Sequence, residues 1–150
     1  VTEDGKLFLR EGLRESETEN SPYVMQEKAR QMAEIARCVE MYRAVRPKVS
    51  LKGRIVIITD DGLATGATMR SALWSAAQEK PKRLIAAVPV APEDTVKALA
   101  ADADELIVVR VPQFFAAVGQ FYRQFDQVSD EEVLAMLKQE YVKNRKDAKA

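Results

Sequence analysis

The chain has 150 residues, 47% of them hydrophobic and 31% charged, which is typical of one globular domain rather than of a disordered chain. Lys+Arg and Asp+Glu number 23 each, so no net positive charge favours binding to nucleic acid or to an anionic membrane. There is no histidine, which excludes Ser-His-Asp and Cys-His nucleophiles, and the single cysteine excludes a disulfide framework. With no apolar run near the ~20 residues of a membrane span, we expect a cytoplasmic protein.

The first twenty residues are typical of the remnant of a longer domain. Asp4-Gly5 predicts a hairpin turn into a strand at Lys6 to Leu9, for which only Val1 to Glu3 are present as a partner. The polar stretch that follows predicts a loop or arm. We therefore expect the C-terminal portion of a domain that has lost its N-terminal part, with residues 1–20 as an arm or hairpin remnant.

A long helix and a buried strand come next. Ser21-Pro22 is a helix start signal, and apolar residues three or four apart predict an amphipathic helix that ends near Arg46-Pro47. The predicted apolar stripe is Met25, Ala29, Met32, Ala36 and Val39. After Gly53, the β-branched run Ile55 to Ile58 has no polar alternation, which predicts a central parallel strand covered on both faces.

The next segments alternate between helix and strand. Helices are predicted at Thr68 to Glu79 and Glu93 to Ala101, and strands at Leu84 to Val90 and Leu106 to Val109. This alternation predicts an α/β fold, a Rossmann-like parallel sheet with flanking helices, over residues 1–150. The loops that follow the strands then gather at one edge of the sheet, where ligands bind in such folds.

The C-terminal part is predicted to be helical. Phe114 to Tyr122 indicates a short aromatic-rich helix, and Ser129-x-x-Glu132 is a capping box that opens a helix to about Tyr141. The basic residues 143–150 are expected to form a frayed tail.

The loop after the first strand carries the residues suited to chemistry. Two adjacent carboxylates end the strand, and a turn rich in glycine and threonine leads into a helix, whose N-terminal amides form a ready anion site. The carboxylates would repel a phosphate held there, so they are expected to face hydroxyls or a cation. A sugar phosphate has a phosphate for the amides and hydroxyls for the carboxylates. The loop reads Asp60-Asp61-Gly62-Leu63-Ala64-Thr65-Gly66-Ala67-Thr68.

The string from Arg54 to Thr68 resembles the phosphoribosyl-diphosphate (PRPP) signature of type I phosphoribosyltransferases. This resemblance implies a type I phosphoribosyltransferase-like fold, with Thr65 to Thr68 around the 5-phosphate and Asp60 and Asp61 on the ribose hydroxyls. The likeness extends to a bacterial subgroup called predicted phosphoribosyltransferases. It is carried there by Arg46-Pro47, Val88-Pro89-Val90, Val111-Pro112-Gln113-Phe114-Phe115-Ala116-Ala117-Val118-Gly119 and Asp130-Glu131-Glu132-Val133.

The resemblance implies an enzyme that transfers a 5-phosphoribosyl group from PRPP to a nitrogenous, nucleobase-like acceptor and releases pyrophosphate. Asp60 and Asp61 are the catalytic candidates, and Mg²⁺ is expected to be held mainly through PRPP rather than by protein ligands. Ala64 stands where 6-oxopurine enzymes of the family have an aspartate, which makes hypoxanthine and guanine less expected acceptors. A homodimer remains open.

Two alternatives stand beside the enzyme. In the family the pyrophosphate-binding loop lies on an earlier strand, so this chain could be a non-catalytic PRPP- or nucleotide-binding module, or an inactive fragment of a longer enzyme. Phe114 and Phe115 follow the third predicted strand on the ligand edge, where they could contact the nucleobase. Packing in the core is the alternative for both rings.

Overall fold

The computed structural model describes residues 1–7 and 21–147, with side chains described as far as residue 139. None of the described helices is both long and apolar enough to cross a membrane. The elements, in chain order, are α1 (Pro22–Val45), β1 (Ile55–Thr59), α2 (Ala67–Gln78), β2 (Arg83–Val90), α3 (Glu93–Leu99), β3 (Glu105–Arg110), a 3-10 helix (Val118–Phe121) and α4 (Asp130–Asp147).

The three strands form one parallel sheet in the order β1-β2-β3. Ile57 of β1 lies opposite Ile85 of β2, and Ala87 of β2 lies opposite Ile107 of β3. The predicted α/β class is therefore confirmed. One face of the sheet packs against α2 and α3, and the buried core there consists of Leu63, Met69, Leu73, Ala76, Leu84, Ala86, Val88, Ala91 and Leu99.

The prediction that β1 is the central strand, covered on both faces, was wrong for the described part of the chain. β1 lies at an edge of the sheet, with Ile55 61% and Ile57 62% exposed. The middle strand is β2, in which Leu84 to Ala86 are buried. Both crossover helices pack on the same face, so alternate side chains of β1 meet the core while the others point to the open face.

Helix α1 starts as predicted, since the Ser21 side chain accepts a hydrogen bond from the Val24 amide and Pro22 is the first helical residue. The predicted apolar stripe was partly wrong. Met25 is 53% exposed, whereas Val24 is buried. The helical period was read correctly, but the covered side of α1 is rotated relative to the predicted one.

Helices α1 and α4 are joined by one acidic side chain. The Tyr42 hydroxyl donates to Asp130 Oδ1 at 2.7 Å, and the Arg37 guanidinium lies 2.8 Å from Asp130 Oδ2. The Tyr42 hydrogen bond, and then Arg37, hold the pKa of the Asp130 carboxyl below its ordinary value. Beside them, burial raises the pKa of the Cys38 thiol. This cluster fixes the start of α4 against the C-terminal half of α1.

The capping box of α4 is present as predicted. The Glu132 amide donates to Ser129 Oγ, and the Ser129 amide donates to Glu132 Oε2. The helix was predicted to end near Tyr141 before a frayed tail, but it continues to Asp147, and residues 148–150 lie outside the described part.

Two other predictions are confirmed only in part. A turn is present at Gly5, whose amide donates to the Thr2 carbonyl, but residues 1–7 contain no strand. The rest of that predicted strand and the predicted arm lie in residues 8–20, outside the described residues. Of the predicted helix Phe114 to Tyr122, only Val118–Phe121 is helical, as a single 3-10 turn.

Candidate functional site

The loop between β1 and α2 lies at the carboxyl end of the parallel sheet, as predicted. β1 ends at Thr59, and Asp60 and Asp61 follow at once with both residues exposed. The carboxylates therefore face solvent at the edge where α/β folds bind ligands. Asp60 Oδ1 accepts a 2.9 Å hydrogen bond from the Asp61 amide, which orients the first carboxylate against the backbone of the second residue.

Gly66 is the N-cap of α2 and has a left-handed backbone with φ of 75°. A Cβ atom here would lie 2.8 Å from Leu99 Cδ1 and 2.9 Å from Thr95 Cγ2, so both conformation and space require glycine. The first amides of α2 have no acceptor within the helix, as at any helix start, and the N-cap glycine has no side chain to bind them. With the positive end of the helix dipole behind them, these amides suit an anion.

A cavity of about 210 Å³ lies directly against the loop. It is lined by Asp60, by residues 62–69 and by Val118. Thr65 and Thr68 are both exposed, so their hydroxyls are available as donors to a bound group. The Ala67 amide also makes a long, 3.5 Å contact with Thr65 Oγ1. The cavity thus brings one carboxylate, two hydroxyls and the start of α2 together.

Leu63 holds the predicted site against the core and the end of β2. Its side chain is 3% exposed in the core, and its amide donates a 2.9 Å hydrogen bond to the Val90 carbonyl at the end of β2. Both groups thus anchor the loop, one in the core and the other at β2. Gly62 beside it is also confined, because a Cβ atom there would lie 2.7 Å from Val118 Cγ1.

Three residues that the sequence analysis did not single out complete the surroundings of the loop. The Thr95 hydroxyl donates to the Ala64 carbonyl at 2.6 Å, and the Tyr122 hydroxyl donates to the Asp61 carbonyl at 2.6 Å. Val118 lines the cavity. They lie far from the loop in sequence. Val118 belongs to the string Val111 to Gly119 quoted for the resemblance, the aromatic-rich composition near Tyr122 was a second signal, and no motif marks Thr95.

The two predicted aromatic residues have different surroundings. Phe114 is 87% exposed, whereas the Phe115 ring is half-buried and stacks on Phe121 with 5.7 Å between centroids. The Arg110 guanidinium lies 5.2 Å from the Phe121 ring centroid. The Phe115 ring is therefore packed against Phe121, whereas the Phe114 ring is open to solvent.

Comparison with known proteins identifies the family. A family model described as the phosphoribosyl transferase domain matches residues 14–126, which is most of the chain. The chain belongs to this family. The match includes the whole loop from Asp60 to Thr68, so the fold and the resemblance found in the sequence agree.

Relatives of this phosphoribosyl transferase domain include proteins from Mycobacterium tuberculosis and Thermus thermophilus. Two Mycobacterium tuberculosis proteins named as candidate phosphoribosyl transferases, MT0597 of strain CDC 1551 and Rv0571c of strain H37Rv, are 44% identical over 108 residues. The crystal structure of TT1426 from Thermus thermophilus superposes with a TM-score of 0.75 at 44% identity.

These relatives are longer than the chain. The matched region is 72% of this chain and 24% of each mycobacterial protein, and the structural match covers 93% of this chain and 65% of TT1426. The phosphoribosyl transferase domain described here therefore spans about a quarter of the length of its curated relatives.

Proposed function

We propose that this domain binds PRPP and transfers its 5-phosphoribosyl group to a small nitrogenous acceptor with release of pyrophosphate. One observation carries the proposal. Two exposed carboxylates, Asp60 and Asp61, begin the loop that leads to the N-terminus of α2, and this loop borders a cavity lined by Thr65 and Thr68. Carboxylates suit sugar hydroxyls, and the helix N-terminus suits the 5-phosphate, so the two halves of the loop match the two ends of ribose 5-phosphate.

In this mechanism the loop acts by binding and orientation. The amides of Gly66 to Thr68 and the two threonine hydroxyls hold the 5-phosphate, while Asp60 and Asp61 accept hydrogen bonds from the ribose 2- and 3-hydroxyls. The bond from ribose C1 to pyrophosphate oxygen breaks, a bond from C1 to acceptor nitrogen forms, and the acceptor loses a proton. Carboxylates beside the ring stabilise the positive charge that develops on it, so neither acid has to become a nucleophile.

Magnesium fits the acidic part of the site as a ligand-borne ion. Asp60 and Asp61 offer oxygen donors, the type that Mg²⁺ prefers, but the described residues contain no cluster of three or more potential metal ligands. The protein alone would therefore give an incomplete ligand set, and PRPP oxygens would supply most of it. When bound, the ion offsets negative charge on the departing pyrophosphate.

Calorimetric titration with PRPP, with and without Mg²⁺, tests the binding step. The double variant Asp60→Asn, Asp61→Asn is expected to lose at least about tenfold in PRPP affinity, because charge-assisted hydrogen bonds to the ribose are lost. The control is Asp94→Asn, Asp126→Asn, which removes the same charge from two exposed acids on other segments. Equal affinity of all three proteins for PRPP would contradict the proposal.

A second candidate function is a PRPP- or nucleotide-binding module without catalysis. Pyrophosphate release from PRPP in the presence of a panel of nucleobases separates the two functions. Release with any one base supports the transferase, whereas Mg²⁺-dependent PRPP binding without release supports the binding module.

A further inference from the structure

The hydrogen bond between Tyr122 and the Asp61 carbonyl joins two segments that are 61 residues apart in sequence. Tyr122 directly follows the 3-10 helix, and its own amide is tied to the Gly119 carbonyl at 3.1 Å. Its ring packs on Phe125 with 5.2 Å between centroids. The Tyr122 backbone and ring are thus each held by one contact, and the hydroxyl of this partly exposed side chain reaches the Asp61 carbonyl.

The Asp61 backbone is held at both of its polar groups. Its amide donates to Asp60 Oδ1 at 2.9 Å, and its carbonyl accepts from Tyr122 at 2.6 Å. The carbonyl belongs to the peptide unit between Asp61 and Gly62, and a glycine on one side of a peptide permits more rotation than any other residue. Tyr122 restricts the rotation that Gly62 would otherwise allow.

The loop after this peptide is already fixed by other contacts. The Leu63 amide binds the Val90 carbonyl at 2.9 Å, and the Ala64 carbonyl accepts from Thr95 at 2.6 Å. The segment from residue 63 onwards, which carries the phosphate-binding turn, therefore keeps its position without Tyr122. The peptide after Asp61 is the part of the loop that depends on the tyrosine.

We propose that Tyr122 is a positioning residue that holds the Asp61–Gly62 peptide so that the Asp61 carboxylate meets the sugar hydroxyls of the ligand. This inference rests on the proposed function, because it assigns the task of one side chain within the same site. Tyr122 contacts the backbone of Asp61 and leaves the phosphate-binding half of the loop unchanged.

The inference makes a selective prediction for sugar phosphates. Tyr122→Phe removes only the hydroxyl, so ribose 5-phosphate should bind about five- to tenfold more weakly, while inorganic phosphate binds as before. The affinity for 2-deoxyribose 5-phosphate, which lacks one of the hydroxyls facing the carboxylates, should fall by less. The preference of the protein for ribose over deoxyribose is the measured quantity.

Tyr42→Phe is the matched control, because it removes another tyrosine hydroxyl, one that donates to Asp130 at 2.7 Å away from the loop. This variant is expected to lose stability but to keep the wild-type preference for ribose. If Tyr122 has a purely structural role, Tyr122→Phe should also keep the wild-type preference for ribose, with the affinity for all three ligands reduced by the same factor. That result would overturn the inference.

The test also separates the inference from the proposed function. If wild-type protein prefers ribose 5-phosphate to its deoxy form and Tyr122→Phe keeps that preference, the proposed function stands and the inference fails. If the wild-type protein binds none of the three ligands, the inference fails, and if it also fails to bind PRPP with Mg²⁺, the proposed function fails too. Loss of preference in Tyr122→Phe alone, with a shifted carbonyl carbon resonance of Asp61 in the free protein, supports both.

Discussion

The Thr95 hydroxyl donates a 2.6 Å hydrogen bond to the Ala64 carbonyl and so links helix α3 to the loop before α2. Thr95 is 7% exposed, and its methyl group packs over Gly66. This hydrogen bond is part-buried and therefore partly shielded from water, so its loss should lower stability.

Replacement of Thr95 by valine should therefore lower the free energy of unfolding by about 0.5–1.5 kcal/mol, since the part-buried hydrogen bond to the Ala64 carbonyl is lost. Urea denaturation followed by circular dichroism measures the change. Thr95→Ser keeps the hydroxyl and should recover most of the loss. If serine and valine destabilise the protein equally, the methyl group rather than the hydroxyl is responsible.

Gly66→Ala is expected to be among the more damaging small substitutions. A left-handed backbone costs an alanine about 1–2 kcal/mol, and crowding against Leu99 and Thr95 adds about 1–3 kcal/mol. Gly53→Ala separates these causes, because Gly53 has a similar φ of 69° and no atom within 4 Å of the added carbon. Denaturant midpoints should show the larger loss at Gly66, and similar losses at both positions would rule out crowding.

The pKa of Asp130 makes stability depend on pH. Because Tyr42 and Arg37 depress the pKa of the folded carboxyl, its stabilising effect is present above its ordinary value of 3.8 and is lost as the pH falls through the lower folded value. Asp130→Asn should thus destabilise the protein at pH 7 and lose its effect in strong acid. The control is Glu131→Gln, a neighbour in the same first turn of α4. Thermal midpoints measured across pH for both variants test the difference.

Replacement of Phe114 and of Phe115 by alanine should have different effects on stability and on ligand binding. Phe114→Ala should leave the free energy of unfolding within about 0.5 kcal/mol, because the side chain is exposed, and should weaken binding of nucleoside monophosphates if the ring contacts the base. Phe115→Ala should cost about 1–2 kcal/mol through loss of stacking on Phe121. Denaturation and titration with adenosine and uridine monophosphates distinguish the two roles.

The local chemistry of the site could be predicted from sequence because it lies in one continuous stretch. Asp60 to Thr68 follow a strand and open a helix, and the strand and helix were recognisable from residues 55–79 alone. The partners of the loop could not be found in this way. Thr95 and Tyr122 reach it only through the fold, and nothing in their local sequence marks a hydrogen bond to residue 64 or 61.

The error at β1 has a different origin. A run such as Ile55 to Ile58 shows that a strand tolerates apolar surroundings on both faces, but periodicity does not tell which polypeptide supplies them. In the described part of the chain, α2 and α3 cover one face only, so Ile55 and Ile57 remain exposed. Met25 illustrates the same limit for a helix, where the spacing was right but the covered side was not.

Among the described residues β1 lies at the edge of the sheet, and this position should be detectable by amide exchange. In a parallel strand, successive residues direct their N–H groups alternately to the two sides, so only every second amide of β1 is bonded to β2. Deuterium uptake along Ile55–Thr59 should therefore alternate between slow and fast residues, whereas β2, bonded on both sides, should exchange slowly throughout. Any polypeptide that adds a strand to β1 would be detected as the loss of that alternation, without labelling the polypeptide itself.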